Sequence, residues 1–370
     1  MCILFPFILF YRCIVAVCCC CFKQRDRPVE NIEQCLDELK SSTGGWFRDS
    51  RRTHVSIRDT FYIFMVQHAC DELDTDHVFA LLQHMSQNMT NEGQVPWCFT
   101  RHWFGDEMAV YKNLNKTVVD ANMQFIIMVW WLYHRDYEKV RSLYLHCRRA
   151  WQWLDIQVAN DTVYEPVGGG SWEDSRQHKG VLLLTNVMYI HTIRSMELLH
   201  TAEHEERKVV QFRKRHERAV STWMPEIYKT QETLPRILAV HFGIVPESFV
   251  KSFNQEIQSA WIPCRVAGPV PNIPTYEAWV CGYPDKHDTL IWPWIGFLWI
   301  IVLHRKKEHE LANAWWTSYL NFHKPKNLYD IYSPDSCKPV RRAFLKGHAN
   351  HALTIATWCA AKYMTMEDLI

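Results

Sequence analysis

Apolar residues recur at three- and four-residue steps along almost the whole chain after residue 30. One face of an α-helix repeats at that period. The pattern predicts helices over 53–70, 74–90, 118–135, 137–155, 180–201, 203–220, 232–242, 290–305, 308–322 and 345–364, with one more over 30–42. No pair of strands joined by a tight hairpin turn is evident. The links alternate in length. Short ones such as Arg135-Asp136 and Lys306-Lys307-Glu308 join the partners of a pair. Long ones over 92–117, 156–179, 259–289 and 323–344 join successive pairs. This alternation predicts an all-α toroid of helical hairpins, with the long loops gathered at one end to build a site. No fixed-period repeat is present, which disfavours an ordinary repeat solenoid.

The link over 156–179 holds the run Tyr164-Glu165-Pro166-Val167-Gly168-Gly169-Gly170-Ser171-Trp172-Glu173-Asp174-Ser175. Three consecutive glycines do not suit a helix or strand interior, so the run reads as a loop. It brings Trp172, Glu173 and Asp174 towards an apolar helix that includes Val181 to Ile190. A loop that carries an aromatic ring and an acid to a helix start is one way a glycosidase presents its proton donor. A solvated surface turn has the same local pattern.

Composition narrows the classes. The 370 residues suffice for one large domain, and a formal net charge of +1 lacks the basic surplus of a nucleic-acid binder. The 17 Trp are about three times ordinary usage. Most suit a large helical core; others suit a sugar site, where a flat ring covers the apolar face of a pyranose. Among 14 cysteines, Cys2, Cys13, Cys18, Cys19, Cys20 and Cys21 crowd the amino terminus, and the others are scattered without a C-x-x-C pair. That argues against a zinc site and a small disulfide scaffold. His68 with Asp71, and His348 with His351, lack a third ligand at matching spacing, so no metal or cofactor is expected.

Residues 1–28 read as a segment separate from a domain over 29–370. Residues 1–22 are almost wholly apolar, interrupted only by Arg12, and Lys23, Arg25 and Arg27 follow. The length suits a membrane span, and the basic cluster favours a cytoplasmic carboxyl side. Arg12 is costly in mid-membrane, and four consecutive cysteines beside basic residues suit a lipid anchor instead. A secretory signal lacks a small-x-small site here, although sequons at Asn88, Asn115 and Asn160 leave the secretory pathway open.

Four segments together resemble the six-hairpin (α/α)6-barrel glycosidases, in particular neutral/alkaline invertases and the glucosidase part of glycogen debranching enzymes. Gly45-Trp46-Phe47-Arg48-Asp49-Ser50 is similar to their W-x-R-D motif, and Val119-Asp120-Ala121-Asn122-Met123-Gln124-Phe125 to their D-x-N-x-x-F helix start. Ser171-Trp172-Glu173-Asp174-Ser175, with His178-Lys179-Gly180 and Thr185-Asn186-Val187-Met188-Tyr189, resembles W-M-D-S…R-x-G…T-N-V-L-W. His287 to Trp294, then Asn327 to Pro339, resembles H-N-G-x-x-W-P-W followed by E-Y-Y-x-P-x-T-G-x-P.

The resemblance spans about residues 45–365 and implies an (α/α)6 toroid that hydrolyses an α-glucosidic or sucrose-like bond with inversion. It implies Asp174 as general acid, Glu173 as reserve candidate and Asp330 as general base. It also implies Trp46, Arg48, Asp49, Asp120, Asn122, Trp172, His287 and Trp292 as sugar-binding residues. Asp49 and Asp120 also suit plain helix starts, where carboxylates meet free N–H groups. Trp292-Pro293-Trp294 also suits the start of a buried helix. The chain departs from the pattern on the base side. Asp330 replaces Glu, Ser336-Cys337 replaces the Thr-Gly turn, and His287-Asp288-Thr289 replaces His-Asn-Gly. A carbohydrate-binding relative with impaired catalysis is the alternative. An isoprenoid-processing toroid is disfavoured, because no D-x-D-D or D-D-x-x-D run occurs.

Overall fold

Two kinds of helix alternate along the chain. The computed structural model describes residues 54–101, 108–110, 118–169, 178–230, 232–259, 291–322, 329, 332, 338–339, 341–342, 345–346 and 352–367. The first kind comprises α1 (Ile57–Ala69), α3 (Asp120–Tyr133), α6 (Leu183–Ala202), α8 (Thr233–His241), α10 (Pro293–Arg305) and α12 (Ala352–Glu367). The second comprises α2 (Thr75–Gln87), the short α4 (Tyr137–Arg141) with α5 (Tyr144–Ile156), α7 (Glu206–Lys229), α9 (Ser248–Ser259) and α11 (His309–Phe322).

Helices of the first kind are apolar nearly all round. In α10 every residue from Pro293 to His304 is buried, and in α3 only Trp130 and Tyr133 are not. Such a helix has no face to offer water and must be enclosed. Helices of the second kind carry one apolar stripe. In α7 the buried residues are Val209, Phe212, Ala219, Trp223 and Ile227, at the spacing of one helical face.

Packing follows this division. The enclosed helices contact one another in chain order, α1 on α3, α3 on α6, α6 on α8, α8 on α10 and α10 on α12. Helix α12 then packs back on α1 and closes the ring. The striped helices pack outside it: α2 and α5 on α3, α7 on α6, α9 on α8, and α11 on α10 and α12. This is the (α/α)6 toroid expected. Each inner helix from α1 to α10 returns to its outer partner through a short link, as at 134–136, 203–205 and 306–308. Inner helices therefore all start at one end, where the long links enter and where the short link 230–232 brings in α8.

Eight short strands lie in the described parts of those links: β1 (His54–Ser56), β2 (Cys98–Arg101), β3 (Met108–Val110), β4 (Val158–Ala159), β5 (Thr162–Gly169), β6 (His178–Val181), β7 (Arg341–Arg342) and β8 (Leu345–Lys346). Three antiparallel sheets result, ordered β1-β2-β3, β4-β5-β6 and β7-β8.

Several expectations are corrected. A tight hairpin does exist: β4 and β5 are joined by Asn160-Asp161, both at positive φ (51° and 56°), the turn whose twist matches paired strands. The glycine run is only partly loop, since Gly168 and Gly169 end β5, and Gly169 pairs with His178 across a register shift. Bulged strand ends tolerate glycine. Helix α7 runs through Pro225 to Lys229, because Trp223 and Ile227 continue its apolar stripe. The helix expected over 137–155 breaks at Ser142-Leu143, where Leu143 N–H bonds the Val140 carbonyl three residues back. Helix α9, carried by Phe249, Phe253 and Ile257, is additional. The amino-terminal segment 1–28 lies outside the described residues. Among those described, no helix is long and apolar enough to cross a membrane.

Buried asparagines fasten the incoming links to the ring. Asn122 Oδ1 accepts from Val95 N–H at 2.9 Å, and its Nδ2 donates to the carbonyls of Gly93 and Ala150, each at 2.9 Å. Gly93 sits at φ +99°, and a Cβ there would lie 2.3 Å from the Arg149 carbonyl oxygen. The loop thus approaches α5 as closely as only glycine permits. Asn186 repeats the device, accepting from Val163 N–H at 2.8 Å and donating to the Leu182 carbonyl at 2.8 Å.

Two measurements test these contributions. Asn122→Ala leaves three buried backbone groups without their partner and lowers unfolding free energy by about 3 kcal/mol or more in denaturant titration. Inner-helix histidines govern acid stability. Burial, then neighbouring positive charge, lowers His68 to about 4 and His191 and His241 to about 3. Their ordinary value is 6.5, so the unfolded chain binds more protons between these limits. Their contribution is complete above pH 6.5 and is lost as pH falls. The thermal midpoint therefore drops between pH 7 and pH 5, and His191→Phe, which keeps the flat packing on Phe242 at 3.9 Å, reduces the drop.

Candidate active site

Helix starts place the polar groups of the ring. Arg58 is the second residue of α1, Asp120 the first of α3, and Thr185 the third of α6. Glu165 lies on β5, which feeds the link to α6. Along β5 the residues alternate, with Val163 and Glu165 buried and Tyr164 exposed. Strand alternation thus turns the Glu165 carboxyl inward.

Arg58 Nε donates to Asp120 Oδ2, and Nη2 donates to Oδ1 at 3.3 Å. Both side chains are buried, and the guanidinium lies 5.7 Å from the centre of the Trp97 ring. Val119, at the N-cap of α3, makes no side-chain cap bond, and Asp120 gives its carboxylate to Arg58. Glu165 is 3% exposed. Thr185 Oγ1 donates to its Oε1 at 2.6 Å, and its Oε2 has no hydrogen-bond partner among the described residues. Burial, reinforced by the negative charge of Asp120, pushes Glu165 up to about 7, against the opposing pulls of Thr185 and Arg58. Tyr62, buried on α1, is raised well above the ordinary tyrosine value by burial and by Asp120. Its ring meets Trp294 of α10 at 5.1 Å, so aromatic contact crosses the ring at this end.

The cluster therefore contains a guanidinium locked to one carboxylate and a second carboxyl that holds its proton near neutrality. A carboxyl of that kind can donate a hydrogen bond or a proton. Among the described residues no group of three His, Cys, Asp or Glu side chains is arranged to hold a metal ion.

Of the residues named from sequence, Asp120 lies in this cluster. Asn122 is fully buried with its amide engaged by three backbone groups. Trp292 is buried at the N-cap of α10, with Pro293 in the first turn. Trp46, Arg48, Asp49, Trp172, Glu173, Asp174, His287 and Asp330 lie outside the described residues. Their flanks are placed. Gly169 pairs with His178 on either side of the Asp174 segment. Tyr332, two residues after Asp330, is buried and exchanges both backbone hydrogen bonds with Ile291, at 3.0 and 2.9 Å, just before α10. These flanks precede α6 and α10, at the end where inner helices start. Sequence reasoning missed Arg58 and Glu165.

Comparisons with protein families and with curated proteins give no match. Solved structures match in shape. A rhamnosidase from Klebsiella oxytoca with rhamnose bound aligns at a TM-score of 0.60 and 13% identity, over 92% of this chain and 65% of that one. A GH63 mannosylglycerate hydrolase from Thermus thermophilus, in complex with glucose, aligns at 0.63 and 11%, over 91% of this chain and 98% of that one. A wild-type glycosidase aligns at 0.58 and 12%, over 91% and 95%. This chain has the (α/α)6-barrel fold of these glycosidases.

The charge cluster makes a prediction of its own. Asp120→Asn removes the negative charge that raises Glu165 and leaves Arg58 with less opposition. The Glu165 carboxyl titrates below its wild-type value in carboxyl-carbon NMR. Asp120→Ala strands the guanidinium and lowers unfolding free energy by about 3–5 kcal/mol.

Proposed function

We propose that this protein is a glycoside hydrolase that cleaves an α-glucosidic or sucrose-like bond with inversion. The observation that carries the reading is the buried Arg58–Asp120–Glu165 cluster at the loop-bearing end of a closed six-helix ring. Likeness of fold to solved structures holding rhamnose and glucose supports it. So do the four sequence segments that resemble the motifs of the barrel glycosidases.

Hydrolysis of a glycoside near neutral pH needs a proton for the leaving oxygen and a water deprotonated on the opposite face. We assign the first task to Asp174 and the second to Asp330. An inverting pair stands roughly 6.5–9.5 Å apart, which leaves room for the water. Asp330 is one methylene shorter than the Glu of the resembled family. If the backbone holds its position, the carboxylate draws back by about 1 Å, which costs about 100-fold where geometry is tight. The activity expected is therefore slow. Asp120 and Arg58 hold the sugar end of the site in place.

The test is turnover of sucrose, maltose, isomaltose, trehalose and aryl α-glycosides, followed by NMR of the released anomer. The expected product is the inverted anomer, and Asp174→Asn lowers kcat by about 10²–10⁴-fold while ligand binding persists. Loss of activity in Glu173→Gln but not in Asp174→Asn would move the acid to Glu173. Sugar binding without turnover across the panel would favour a carbohydrate-binding protein, with the substituted base as the reason.

A further inference from the structure

Glu165 is a buried carboxyl that the acid and base assignments do not use. It is closed off from water, yet half of its carboxyl is idle. Oε1 accepts from Thr185, and Oε2 meets no donor or acceptor among the described residues. Native proteins pair nearly all of their buried polar atoms, and an orphan calls for an explanation. Leaving one costs about 1–3 kcal/mol, and a Leu or Val in its place would fill the space without that cost.

Neighbouring protein groups leave Oε2 idle. The Arg58 guanidinium is aligned on Asp120 by two of its nitrogens. Thr185 has given its proton to Oε1. The position of Glu165 is also distinctive. It pairs with Gly180 on the two strands, β5 and β6, that flank residues 170–177 in sequence.

We infer that Glu165 is a substrate-binding residue, whose Oε2 forms a hydrogen bond with one hydroxyl of a neutral sugar held at this end of the ring. The inference rests on the hydrolase reading and narrows its substrate class. A sugar hydroxyl both donates and accepts, so it suits a carboxyl in either protonation state. A carboxylate or phosphate on the sugar does not suit the position. Asp120 is already negative there, Arg58 is already engaged, and a third acidic group would find no further cation among the described residues of the cluster. Uronic acids and sugar phosphates are therefore poor ligands. Among the described residues, the charged and hydrogen-bonding groups facing Glu165 are Asp120 of α3, Arg58 of α1 and Thr185 of α6.

The test is binding of glucose, mannose and rhamnose, with their monodeoxy analogues, to the full chain by calorimetry or ligand-observed NMR. For the sugar that binds, removal of one particular hydroxyl weakens binding to the wild type about tenfold. In Glu165→Leu the same analogue and its parent bind alike, whereas Glu165→Gln, which still donates and accepts, retains the discrimination. Glucuronate and glucose 6-phosphate bind at least about tenfold more weakly than glucose. Parallel deoxy profiles in wild type and Glu165→Leu overturn the role of Glu165, with the hydrolase reading intact. Equal or tighter binding of the anionic sugars overturns the neutral-sugar assignment. Absence of binding by all three sugars overturns both readings together. Should Glu165→Leu not fold, infrared difference spectra of the wild type at pH 6 decide. Sugar binding shifts the protonated carboxyl band to lower frequency, and Glu165→Gln abolishes the shift. An unmoved band in the presence of bound sugar overturns the inference.

Discussion

Closing a ring of helices removes the solvent face from every inner helix, and the remaining structure follows from that constraint. An inner helix needs apolar side chains on all sides, as Pro293 to His304 show. It cannot meet the demand of its free terminal N–H groups with water alone, and neither can the loops that lead into it. The loops entering α3 and α6 find their partners in buried asparagines. Asn122 and Asn186 each bridge backbone groups of the incoming link, so the long loops are fixed to the ring at the end where they enter. Outer helices are released from the constraint, and their polar faces account for the charged surface of α7.

The same geometry explains which parts of the fold were legible in the sequence. Long apolar segments with three- and four-residue periodicity declared the inner helices directly, because no polar face interrupts them. The alternation of short and long links declared the toroid. Helix α9 was less visible, since only Phe249, Val250, Phe253 and Ile257 mark its stripe among polar neighbours. The Asn160-Asp161 hairpin was missed because two residues rather than a glycine supply the positive φ. Asn and Asp adopt that conformation more readily than other non-glycine residues, and that was the available signal.

The candidate site was legible by halves. The D-x-N spacing drew attention to Asp120 and Asn122 together, yet two helical steps turn a side chain through roughly 200°. Asp120 meets Arg58, and Asn122 turns to the loop and α5, so one motif serves the site and the scaffold separately. Arg58 carried no local mark. Its role depends on a partner 62 positions away in sequence, which spacing does not reveal. Glu165 had a mark that was overlooked: it shares strand alternation with Val163, a buried residue, and not with the exposed Tyr164.

Charge at the ring's entrance sets the chemistry available there. One guanidinium faces two carboxyls in a buried setting, and it aligns with Asp120. Two ionised carboxyls beside one cation would leave net negative charge in low dielectric, so Glu165 keeps its proton to about pH 7. That proton has a consequence opposite in sign to the histidines at the ring's other polar positions. Glu165 adds no penalty below its ordinary value of 4.5 and works against the fold increasingly as pH rises towards about 7. His68, His191 and His241 work against it as pH falls below 6.5. Three groups outnumber one, so acid destabilises the protein overall. Near neutrality the histidines are uncharged while Glu165 is still partly protonated. In that interval the ring is near its most stable, and the Arg58–Asp120–Glu165 cluster carries less than one net negative charge, which suits an uncharged ligand.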